Sequence, residues 1–86
     1  MLGSAGPNEA LQALTIMDRD TQLRHLAEAE KHVAEGVRHI SEQEQRLAEL
    51  DRDGHDTTQA RRLLDNFRAV QIEHIAHRDH ILKELG

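Results

Sequence analysis

The sequence predicts an all-α protein, a two-helix antiparallel coiled-coil hairpin that dimerises into a four-helix bundle. Three observations predict it. A seven-residue apolar repeat runs through the first half of the chain. A single glycine, Gly54, separates two long stretches of helix-forming residues. The apolar surface of the second stretch is wider than one facing helix can cover.

The repeat begins after Thr21 and sets the first helix. With Leu23, Glu30, Val37 and Glu44 at a, the residues Leu26, Val33, Ile40 and Leu47 fall at d. Such a seam implies coiled-coil packing. Beside it runs a series of small residues, Ala27, Ala34, Ser41 and Ala48, which lets a neighbouring helix approach closely. Glu28, Glu35, Glu42 and Glu49 repeat on the outer face. Helix 1 is expected over about 8–53, with Asn8 as N-cap. A break near Asp18 to Asp20 is a competing possibility, because Asp20 before Thr21 is a second cap signal. Gly36 is the one glycine inside a helical pattern, and it costs about 1 kcal/mol there relative to alanine.

Gly54 suits the left-handed residue that closes a helix. The turn is expected at 54–55, and Asp56, with Gln59 three residues on, reads as the start of helix 2 over about 56–85. A link this short folds the helices back antiparallel. Facing residues should have numbers summing to about 108, counting outward from the glycine at equal rise. Helix 2 then ends opposite Gln22. Its expected core comprises Ala60, Leu63, Leu64, Phe67, Val70, Ile81 and Leu85, with His74 and Arg78 on the same face. Glu30 against His74 and Arg78 forms an expected buried polar layer, of the kind that sets register at some cost in stability. Residues 8–86 make one domain, and residues 1–7, with Gly3, Gly6 and Pro7, make a flexible start.

Composition narrows the function. The 86 residues include no cysteine and one aromatic, Phe67. A core built from so little is marginal, and without disulfides the remaining supports are oligomerisation or a His/carboxylate metal site. The net charge of −5 has both signs interspersed. Nucleic-acid binding rests on clustered Lys and Arg, so no nucleic-acid partner is expected. No apolar run approaches the roughly 18 residues of a membrane span, and no secretory signal is evident. No membrane partner and a cytoplasmic location follow as expectations.

The stretch from His32 to Ile40, the turn from Leu50 to Thr58 and the ending from His77 to Leu85 resemble short, uncharacterised bacterial proteins built as helical hairpins. The likeness spans about Met17 to the end; residues 1–16 read as an extension or an added segment. It implies a helical fold. These proteins have no established activity, so it implies no mechanism and no functional residues.

Seven histidines are the most distinctive residues. His25, His32 and His39 recur every seven positions, each followed three residues later by a glutamate. A solvated stripe of weak charge pairs, each about 0.3–0.5 kcal/mol, accounts for them. The sharper alternative is a pH-responsive face, since protonating all seven would carry the charge from −5 to +2. Glu73, His77, His80 and Glu84 share a helix face at a spacing that divalent metals can use. They match no known metal signature, and neither HExxH nor the Glu-x-x-His of di-iron bundles occurs, so no cofactor is expected. Two helices enclose no pocket, and no activated nucleophile is present, so no enzyme is expected. The expected role is structural: a protein-interaction module that self-associates, most simply as a homodimer, through Leu11, Leu14, Ile72, Ile75 and Leu82. Another protein partner would use the same chemistry.

Overall fold

The computed structural model describes the backbone of residues 7–86 and the side chains of residues 18–86. Helix α1 spans Pro7–Arg52 and helix α2 spans Thr58–Leu85. The helix is continuous through Asp18 to Asp20, so the alternative of a break there does not hold. Helix α1 is described from Pro7, so Asn8 lies within it.

The turn is built as the glycine suggests, with a longer link. Gly54 has φ +78°. Its N–H donates to the Asp51 carbonyl at 3.1 Å, and the His55 N–H reaches the Leu50 carbonyl at 2.9 Å. These two bonds form a Schellman motif and satisfy carbonyls that the helix end would leave bare. Helix α2 begins two residues later than expected, with Thr57 as N-cap. Asp56 still closes the helix from one position further out. Its Oδ1 accepts from the Thr58 N–H at 2.9 Å and from the Thr58 hydroxyl at 2.7 Å.

The helices pack antiparallel along their shared length. His32 meets His74 and His39 meets Phe67, so facing numbers sum to 106 there; Gln43 reaches Ala60, for a sum of 103. The register is therefore a little below the expected 108. Leu50 and Asp56 line one groove with Gln59 and Ala60, on the link's far side. Near the other end, Gln22 Nε2 donates to Glu84 at 2.7 Å and Arg19 reaches the Leu85 carbonyl. Helix α1 continues N-terminal of that point.

The seam differs from the expected one. On α1 the seam runs through Leu26, Ala29, Val33, Gly36, Ile40, Gln43, Leu47 and Leu50, an unbroken alternation of three and four, with Thr21, Gln22 and Glu35 half-buried beside it. The d positions hold as expected. Their partners are Ala29, Gly36, Gln43 and Leu50, rather than Leu23, Glu30, Val37 and Glu44, all four of which are exposed. Desolvating two glutamates without partners costs several kcal/mol, whereas the alternative set carries no charge. On α2 the seam is Ala60, Leu64, Phe67, Gln71, His74, Arg78, Ile81 and Leu85. Leu63 and Val70, expected in the core, are exposed.

Candidate interaction surface

A two-helix seam leaves two broad faces, and residues seven apart on a helix share one of them. The grooves beside the seam identify which residues lie where. One is lined by Glu44, Leu47, Arg61, Leu64, Asp65 and Arg68. Extending it in steps of seven brings in Leu23, Glu30 and Val37 from α1, and Ile75 and Leu82 from α2. The opposite groove, of about 220 Å³, is lined by residues that include His32, Glu35, His39, Val70 and His74. The same steps add His25 and His77 to that side.

The first face is apolar. Val37 is 60% exposed and Ile72, on its shoulder, 69%; Leu23, Ile75 and Leu82 are between 36% and 45% exposed. The buried apolar residues among those described are only Ala29, Leu64 and Ile81. Seven large apolar side chains are exposed outside the seam among the described residues, against nine that line it. The expected interface residues Ile72, Ile75 and Leu82 meet on this face. Leu11 and Leu14 lie on α1 where side chains are outside the described residues.

Polar atoms in the seam are handled by amides. Gln43 Nε2 donates to the Ala60 carbonyl at 3.0 Å, and Gln71 Nε2 donates to the Val33 carbonyl at 2.8 Å. Each helix sends one glutamine to the backbone of the other. The expected layer of Glu30, His74 and Arg78 is only partly assembled. His74 and Arg78 are half-buried in the seam, but Glu30 is exposed on the apolar face. Arg78 pairs with its neighbour Asp79 at 2.9 Å, and His74 lies against His32, with ring centroids 5.2 Å apart.

The histidine face holds the other candidates. His80 Nε2 lies 3.0 Å from Glu84, while Glu73 and His77 are exposed. Among the described residues, no three His, Asp or Glu side chains are grouped to hold a metal ion. No described helix is long and apolar enough to cross a membrane. The exposed i,i+4 pairs Lys31–Glu35 and Arg38–Glu42, at 4.0 and 3.9 Å, add a few tenths of a kcal/mol each to helix stability.

No family model, curated protein or solved structure matches the chain.

Gln43 and Gln71, central to the seam, are the residues that sequence reading missed. The signal was available in Ala29, Gly36, Gln43 and Leu50, a seven-residue series free of charge. Glutamine is polar enough to be read as surface until a carbonyl is found opposite it.

Proposed function

We propose that the protein is a structural, protein-interaction module that self-associates through its helices. The observation that carries this reading is the exposure of Leu23, Val37, Ile72, Ile75 and Leu82 beside a seam with only three buried apolar residues among those described. Monomeric proteins seldom leave so many large apolar side chains of one face open to water. A chain of this length also gains much of its missing core by pairing. Sedimentation equilibrium with chelator present tests the reading. A mass near twice 9.8 kDa is expected, and a stable, fully helical monomer would overturn it.

A second reading is favoured by the contact of His32 with His74. Two imidazoles this close repel once both are protonated, and Glu35 and His39 border the same groove. On this reading the hairpin loosens between pH 8 and pH 5. Helicity followed by circular dichroism over that range decides it; an unchanged spectrum and mass would eliminate it.

A further inference from the structure

We infer that the apolar face receives a second copy of itself with both turns at the same end, so that α1 of each copy lies on α2 of the other. The inference rests on the self-association reading and adds to it the face and the orientation.

Along the two rows that border the seam on that face, charge is sorted by helix; Asp65 of α2, on the outer shoulder of the same groove, is the exception. In the observed register, Leu23, Glu30, Val37 and Glu44 on α1 stand level with Leu82, Ile75, Arg68 and Arg61 on α2. The α1 row carries only acidic charge and the α2 row only basic charge. Glu30, Glu44 and Arg68 make no ion pair within the chain, among the described residues.

A two-fold axis running along the hairpin lays each α1 row on the partner's α2 row at the same height. Glu44 of each copy then faces the arginines of the other, and the Leu23–Leu82 level of one copy covers that of the other. An axis across the hairpin instead sets α1 on α1. Glutamate then faces the like-charged row, and Leu23 and Leu82 slide toward Glu44 and Arg61. Matching at the Leu23–Leu82 and Glu44–Arg61 levels therefore selects the first arrangement, in which Glu30 lies level with Ile75 and Val37 with Arg68. Ala27, Ala34, Ser41 and Ala48 flank the α1 row and leave room for the second copy.

The chain has no cysteine, so a single His55→Cys substitution gives one spin label per copy, at the turn. In the inferred dimer the two labels fall within about 30 Å, since packed helices sit 8–10 Å apart. The reversed dimer separates them by about 60 Å, from some 20 residues at 1.5 Å on each side of the centre. Leu82→Glu is expected to return the mass to that of a single chain with helicity retained, while Val70→Glu, on the histidine face, leaves it doubled. Should Leu82→Glu lose its helicity, the charge variants serve instead. Glu30→Arg with Glu44→Arg is expected to weaken dimerisation at least about tenfold, and mixing it with an Arg61→Glu, Arg68→Glu chain restores a dimer. A dimer that survives Leu82→Glu with its fold intact, ignores the charge variants, or shows the long label distance overturns this inference and leaves self-association standing. A monomeric unmodified chain overturns both.

Discussion

The amide of Gln71 occupies the notch left by Gly36. Its Oε1 stands where a Cβ on residue 36 would project, and its Nε2 bonds the Val33 carbonyl one turn away. The oxygen is buried without a hydrogen-bond partner. Glycine inside a helix costs about 1 kcal/mol, and here it admits a polar side chain from the facing helix at one defined level.

The two residues should therefore be strongly coupled. Gly36→Ala gains helix propensity but expels the Gln71 amide, losing a bond of about 1 kcal/mol and the local packing. A net destabilisation of about 1–2 kcal/mol is expected. In a Gln71→Ala background the same substitution should instead stabilise, by up to about 1 kcal/mol. Urea unfolding of the four chains closes the cycle; additive effects would show that the contact does not govern the site.

Gly54 is constrained by its backbone, not by space. No atom lies within 4 Å of a Cβ built there, but φ is +78°. Gly54→Ala should cost about 1 kcal/mol, and Gly54→Asn less, because asparagine tolerates this conformation better. Thermal unfolding of both variants would show the ranking, and equal effects would contradict it.

Seam and face respond differently to truncation. Leu64 is 6% exposed, and Leu64→Ala should destabilise by about 2–4 kcal/mol at any protein concentration. Ile72→Ala should stay within about 0.5 kcal/mol in dilute solution, as surface substitutions do. If Ile72 lies in an interface, its effect should grow as the chain is concentrated, since association adds to apparent stability by mass action. Melting temperatures measured over a hundredfold concentration range separate the two behaviours.

Asp56 supplies a pH-dependent contribution. The Thr58 backbone N–H, and then the Thr58 hydroxyl, hold its carboxyl below the ordinary value of 3.8. A carboxyl depressed on folding stabilises the folded state above its ordinary value, and that contribution is lost as pH falls through the depressed one. Asp56→Ala should therefore be less stable than the parent at pH 7, and the gap should close below pH 3.8. A gap that persists to pH 2 would assign the effect to something other than the carboxylate.

Much of the fold was legible before any coordinates. The two helices, the left-handed glycine at 54, the d positions and the end of α2 near Gln22 all follow from local patterns. So does the exposure of Ile72, Ile75 and Leu82, which lie off the seam of α2. Apolar periodicity, helix-stop chemistry and chain length act within a few residues of each position, so sequence by itself determined these features. The rotation of α1 about its axis was decided only by the tertiary structure. Leu23 and Val37 share a row with Glu30 and Glu44, and whether that row is buried depends on what faces it. Gln71 supplies an amide for the Val33 carbonyl and needs the space at Gly36, and Gln43 does the same for Ala60. Those contacts favour the uncharged row and turn the glutamates, with Leu23 and Val37, out to the apolar face. The choice between two adjacent stripes on one helix rests on desolvation and on partners distant in the chain, which no local pattern encodes.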